Sequence, residues 1–162
     1  MKPLSYRAAA DESVSARVAE SLPGVVGYCV NGPKRVGEEY APARLVHELR
    51  EGLPIRELEG LQQTLGLPMD RLAPLLGLSK ATLHRRKAAG RLDQAESDRV
   101  VRYARLLGRA IEVMESIPAA RQWLVAPQVG LGGEIPLEFA QTEVGAREVE
   151  DLLGRIEYGV YA

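Results

Sequence analysis

MDRLAPLLGLSKATLHRRKA, residues 69–88, is the stretch on which the fold turns. Two helices that cross closely need a small residue where they touch, a glycine at the turn, and apolar side chains to hold the crossing. Ala73 is the small residue, Gly77 the turn, and Leu72, Leu76, Leu78 and Leu83 the apolar set. This is the spacing of a helix-turn-helix. Ser79 caps the second helix, whose exposed face then carries Lys80, Ala81, His84, Arg85 and Ala88. A face of this kind, at the positive end of a helix, is what enters a major groove. Lys80 and Arg85 have the reach for guanine edges or phosphates, Ser79 and Thr82 for phosphates, and Lys87 adds a further phosphate contact. Two residues run against the pattern. Arg86 takes a place that is usually apolar, and Pro74 lies inside the first helix, where it removes a backbone hydrogen bond unless it is near the first turn. The second point sets the start of that helix near Asp70. The bland alternative is any two helices joined by a glycine turn.

Outward from this motif the chain reads as helices with very short connections. Upstream, Pro54 opens a helix with Ile55, Leu58, Leu61 and Leu65 inward and Gly66 as its stop. Before it, Pro42 opens one whose apolar face is Leu45, Val46 and Leu49, ending at Gly52. Val14, Val18 and Leu22, four apart, give a short amphipathic helix over about 11–22, stopped by Pro23-Gly24. Val25, Val26, Tyr28, Cys29 and Val30 then run into Asn31-Gly32-Pro33, which fits either a small strand and turn or an apolar loop packed on the body. Gly24, Gly27, Gly32 and Gly37 form no phosphate cradle, because no Lys-Ser/Thr pair accompanies them.

Downstream, Asp93-Gln94-Ala95-Glu96 is a capping box that launches the longest helix, to about Ser116. Its apolar line is Val100, Tyr103, Ala104, Leu107, Ala110, Ile111 and Met114. Arg99, Arg102, Arg105 and Arg109 lie off that line and read as a solvated face rather than as DNA contacts. Pro118 begins a helix holding Trp123, the one tryptophan, as a core anchor. After a loop with Gly130, Gly132 and Gly133, Pro136 starts a short turn. Thr142 caps a final helix with Val149, Leu152, Leu153 and Ile156 inward and Gly159 at its end.

Composition sets the limits of function. The chain has 162 residues, 46% hydrophobic and 27% charged, with a net charge of -1 and 5% aromatic residues. That is globular, leucine-rich and all-α in character rather than a sandwich, a barrel or a disordered chain. A single cysteine, Cys29, and two histidines, His47 and His84, leave no disulfide framework and no zinc cage, so no metal and no cofactor is expected. There is no nucleophile elbow and no catalytic triad, so no catalytic residue is assigned. The absence of a signal-like or membrane-spanning stretch points to a cytoplasmic protein without a membrane partner. Charge is uneven. Residues 69–109 hold ten basic and four acidic side chains, net +6, whereas residues 110–162 hold three basic and nine acidic, net -6. A basic middle beside an acidic end suggests two partners, one of them polyanionic.

From about Leu65 to Ala162 the sequence resembles the Xre/MbcA/ParS antitoxin family, the partners of RES-domain toxins. The resemblance is carried most specifically by Leu131-Gly132-Gly133 with Pro136-Leu137, by Thr142, Gly145 and Val149, and by Leu152-Leu153 through Arg155-Ile156-Glu157-Tyr158-Gly159-Val160. It implies an Xre/Cro-like helix-turn-helix domain followed by a small helical toxin-binding domain. It further implies binding to a RES toxin, an NAD-depleting enzyme of ADP-ribosyltransferase-like fold, and repression of the operon. On this resemblance the end of the chain, Arg155, Glu157, Tyr158, Gly159, Val160, Tyr161 and Ala162, lies across the toxin's active site. The chemistry agrees with it: a cleft built for a dinucleotide's phosphates is basic, so an acidic segment ending in a carboxylate plugs it, and Tyr158 or Tyr161 stacks where a base would. The plain alternative for the tail is a frayed terminus.

The expected organisation is an N-terminal helical extension over 1–53, a helix-turn-helix DNA-binding domain over 54–116 and a toxin-binding domain over 117–162. Helix-turn-helix proteins commonly bind two half-sites as dimers, so a homodimer on operator DNA is expected. The rival reading is a ligand-responsive helix-turn-helix regulator without a toxin partner.

Overall fold

The computed structural model describes residues 24–31 and 42–160. Within them the chain is helical, with no strand and two isolated bridges, Pro54 with Arg91 and Gln128 with Glu134. The helices are α1 (Gly24–Asn31), α2 (Pro42–Glu51), α3 (Ile55–Leu65), α4 (Met69–Leu75), α5 (Lys80–Ala89) and α6 (Gln94–Met114). After them come α7 (Ile117–Leu124), a 3-10 turn (Val129–Leu131), α8 (Pro136–Phe139) and α9 (Glu143–Glu157). The helix read over 11–22, the turn through Gly32 and Gly37, and the last residues Tyr161 and Ala162 lie outside the described residues.

The long α6 is the axle. Its capping box forms as read: Asp93 Oδ1 accepts from Glu96 N at 2.7 Å while Glu96 Oε2 accepts from Asp93 N at 2.8 Å. One face of α6, with Val100, Tyr103, Leu107 and Ala110, is fully buried. Helices α1, α2, α3, α7 and α9 all pack on it. One apolar core therefore runs from Val25 and Val26 through Leu58, Leu72 and Leu107 to Val149 and Leu153.

The segment after Pro23 is a correction. Val25, Val26, Tyr28, Cys29 and Val30, read as a strand or an apolar loop, form α1. The cause is tertiary. Glu57, on α3, accepts hydrogen bonds from the backbone N–H of Val25 (3.2 Å) and Val26 (3.0 Å), the donors that a helix start leaves unpaired. At Gly108 the backbone of α6 comes so close to the Cys29 carbonyl that a β-carbon would overlap it. Val46, read as inward on α2, is 46% exposed, and α2 has no fully buried residue.

Candidate functional site

Residues 69–90 fold as the helix-turn-helix reading requires. Leu72 and Ala73 are buried where α4 meets the body, and α4 starts at Met69. Pro74 therefore sits late in a short helix that ends one residue on, at Leu75, which limits its cost to the last turn. Gly77 adopts φ +68 and closes the helix with a pair of backbone bonds, Leu78 N–H to Ala73 C=O at 2.8 Å and Gly77 N–H to Pro74 C=O at 3.0 Å. A side chain there would be strained and would also meet Arg99.

The Ser79 Oγ accepts from Thr82 N at 3.1 Å, capping α5 as read. No residue of α5 is fully buried. Ser79, Lys80, Ala81, His84, Arg85 and Lys87 are exposed, and Thr82 is half-buried, bonded to Ser79 through its hydroxyl. Leu83 turns inward against the core. The structure thus brings the candidate DNA-contacting residues onto one short, solvent-facing helix with its N-terminus free of acidic side chains.

What holds this helix in place was not read from the sequence. Arg86, on the inner side of α5, reaches the α6 capping box, 3.1 Å from Asp93 and 2.8 Å from Glu96. A cation replaces the apolar contact common at this place, and its signal in the sequence was the acidic pair seven and ten residues on. Arg99 donates to the Leu76 carbonyl at 2.8 Å, fixing the turn to α6. Ile55 N–H to Gly90 C=O (3.0 Å) and Leu92 N–H to Leu53 C=O (2.8 Å) tie the two ends of the unit together.

The arginine line on α6, read as a solvated face, stays at the surface, and Arg102, Arg105 and Arg109 form ion pairs there with α9. Arg102 meets Glu143 at 3.1 Å and donates to the Gln141 carbonyl at 2.9 Å. Arg105 meets Glu150 at 3.4 Å, and Arg109 meets Glu157 and Glu112. Pairing to Glu157 and Glu112 pushes the Arg109 pKa up. Glutamates at 143, 150 and 157 repeat every seven residues and so fall on one edge of α9. Between the same two regions lies the buried Tyr103, whose hydroxyl donates to the Leu137 carbonyl at 2.8 Å and approaches the Leu75 carbonyl at 3.4 Å. Burial pushes its pKa up to about 12.

At the far end, α9 closes at Tyr158, and Val160 N–H bonds the Arg155 carbonyl at 2.8 Å. Arg155 is half-buried; Glu157, Tyr158, Gly159 and Val160 are exposed, Tyr158 at 79% and Val160 at 57%. Glu157 is held back against Arg109, whereas Tyr158 and Val160 project from the body. Among the described residues no group of three His, Cys, Asp or Glu side chains is placed to hold a metal ion, and no helix is long and apolar enough to cross a membrane.

Two family models match successive parts of the chain. Residues 44–105 match the Antitoxin Xre-like helix-turn-helix domain, and residues 109–159 match the Antitoxin Xre/MbcA/ParS C-terminal toxin-binding domain. A protein named Antitoxin Xre from Yersinia enterocolitica is 30% identical over 120 residues, 73% of this chain and 81% of that one. Another Antitoxin Xre, from Photorhabdus laumondii, is 31% identical over 114 residues, 69% of this chain and 77% of that one. With a helix-turn-helix that presents α5 to solvent and a C-terminal helical unit fixed to it through α6, the chain belongs to the Xre antitoxin family.

Proposed function

We propose that this chain binds and inhibits a cognate RES-domain toxin that depletes NAD, and represses its own operon through α5. Inhibition comes from the C-terminal segment, Arg155 and Glu157 to Ala162, laid across the toxin's active site. DNA contact comes from Ser79, Lys80, Ala81, Thr82, His84, Arg85 and Lys87, presented by a homodimer to two half-sites. The observation that carries the reading is the exposed end of α9. Tyr158 and Val160 stand clear of the core in a chain whose C-terminal half matches a toxin-binding domain. An aromatic ring and a branched aliphatic side chain on a short projecting segment suit a dinucleotide cleft, where a base stacks on an apolar wall.

The domain limits proposed for these two activities are 54–116 and 117–162, with 1–53 as an extension that contributes α1 and α2 to the body. The test is co-expression with a RES-domain protein, taken from beside this chain's gene where one is encoded there, scoring growth, cellular NAD and co-purification. Full-length chain should rescue growth and NAD, and a chain ending at Glu157 should not. Truncation there spares Leu153, which is fully buried, so the helix itself is kept. If the full chain neither co-purifies with that protein nor protects NAD, the antitoxin reading fails and a ligand-responsive DNA-binding regulator replaces it.

A further inference from the structure

Two stretches that lie far apart in sequence meet across one cleft. Leu67, just before α4, and Leu75, at its end, line one side; Val125, Ile135 and Leu137, from the chain around α8, line the other. They bound a cavity of about 300 Å³ with an apolar lining, Leu67 and Leu137 buried and the other three half-buried. Both sides are held in place. The Tyr103 hydroxyl donates to the Leu137 carbonyl at 2.8 Å and lies 3.4 Å from the Leu75 carbonyl. Around α8, Glu138 N–H bonds the Ile135 carbonyl (3.0 Å) and Gln141 N–H the Glu138 carbonyl (3.2 Å). The cleft is therefore pre-formed at the junction of the helix-turn-helix and the C-terminal unit, and junctions of this kind commonly hold ligands.

Its charges distinguish it from an ordinary packing gap. Asp70 and Arg71, on the first turn of α4, and Glu138, on α8, line the same cleft and are exposed. None of the three has an ion-pair or side-chain hydrogen-bond partner among the described residues. The arginines nearby are already engaged: Arg102 with Glu143 and the Gln141 carbonyl, Arg99 with the Leu76 carbonyl, Arg121 with the Thr64 and Gln63 carbonyls. The cleft thus offers two carboxylates and one guanidinium beside an aliphatic lining. No aromatic side chain lines it, so a nucleobase has nothing to stack on, and two carboxylates against one guanidinium repel a phosphate. Its volume lies at the low end of the roughly 300–1,000 Å³ of ligand sites, which suits a molecule of amino-acid size.

We propose that this cleft binds a free α-amino acid with an apolar side chain of leucine or phenylalanine size. Its ammonium group meets Asp70 and Glu138, its carboxylate meets Arg71, and its side chain lies on Leu75, Ile135 and Leu137. A neutral hydrophobe uses only the lining. An ion of one sign leaves the opposite charge at the cleft unmatched, whereas a zwitterion answers both. One side of the cleft belongs to the helix-turn-helix and the other to the C-terminal unit, so the bound molecule ties α4 to α8. Binding only the folded chain, it stabilises the whole by mass action. The site uses neither α5 nor the end of α9, and it stands apart from the toxin and operator reading.

The experiment adds L-leucine, L-phenylalanine or glycine to the full-length chain alone, following Tm and, by NMR, the methyl signals of Leu75, Ile135 and Leu137. Isopentylamine, which is leucine without its carboxylate, and isocaproate, which is leucine without its ammonium group, are the controls. Leucine and phenylalanine should shift those methyls saturably and raise Tm, and glycine should do neither. Each control should bind about tenfold more weakly than leucine, the loss expected for one charge-assisted hydrogen bond. Arg71→Gln should weaken leucine about tenfold and leave isopentylamine unchanged; Asp70→Asn with Glu138→Gln should weaken leucine similarly and leave isocaproate unchanged. The three positions are exposed, so these variants keep the fold, and an unchanged Tm without ligand checks it. If neither amino acid shifts the methyls, or if the variants bind leucine as the unaltered chain does, the proposal is overturned. Glycine or either control binding as tightly as leucine overturns it as well, since the ligand is then not an apolar zwitterion. Each of these failures leaves the toxin and operator reading untouched, because neither partner is present.

Discussion

Glu57 holds a helix to which it does not belong. Its carboxylate is buried, and burial pushes its pKa up, against the opposing pull of the Val26 and Val25 N–H groups and of Arg56. An acid whose folded pKa is raised binds its proton more readily in the folded state than in the unfolded one. Its contribution to stability is therefore complete below the ordinary carboxylate pKa and declines as pH rises through the folded value. The Tm difference between the native chain and Glu57→Gln should accordingly grow as pH falls from neutral toward the carboxylate range; a difference that grows with rising pH would contradict this. Gly108→Ala tests the other anchor of α1. The added methyl meets the Cys29 carbonyl, so α1 must shift, and denaturant titration should show a loss of about 1–3 kcal/mol. A loss near zero would mean that α1 does not hold its place on α6 in solution. Neither anchor was legible in the sequence. Val-Val-Gly-Tyr-Cys-Val carries β-branched residues and a glycine that favour strand or loop, and its helix start is satisfied by a carboxylate more than thirty residues away.

At the scale of the element, α5 is a helix whose position is set almost entirely by its neighbours. Leu83 is its apolar anchor to the core, and Arg86 its ionic one to the N-terminus of α6. The motif itself was legible because its needs are local: a small residue, a turn glycine, a capping serine and a leucine set at fixed spacing. The α6 capping box was legible for the same reason. The arginine seam was not, since its partners lie about forty residues downstream and periodicity shows only that the charges share an edge. With those arginines occupied, the basic charge left for DNA is concentrated on α5 at Lys80, Arg85 and Lys87. Arg85→Ala should then weaken operator binding and lower the slope of log affinity on log salt by about 0.9 if it contacts one phosphate. An unchanged slope with weakened binding would assign Arg85 to a base edge; an unchanged affinity would remove it from the interface.

The whole molecule is organised around a shared helix rather than a hinge. Helix α6 carries the turn of the DNA-binding unit through Arg99 and the C-terminal unit through Arg102, Arg105 and Arg109, while Tyr103 reaches Leu137 from the middle of its buried face. Arg121, on α7, adds a crossing from the other side, donating to the Thr64 carbonyl at 2.7 Å and the Gln63 carbonyl at 3.2 Å at the end of α3. Two functions read from two stretches of sequence thus share one core, and such a core melts as a unit. Trp123, the sole tryptophan, packs against that core from α7 in the C-terminal half, whereas far-ultraviolet dichroism reports all the helices. The two signals should give the same midpoint in urea, and Tyr103→Phe should move both together by the cost of an unmade buried hydrogen bond, about 1–3 kcal/mol. Separate midpoints, with tryptophan fluorescence changing first, would show that the C-terminal unit releases while the helix-turn-helix stays folded, and that the contacts through α6 do not couple the halves.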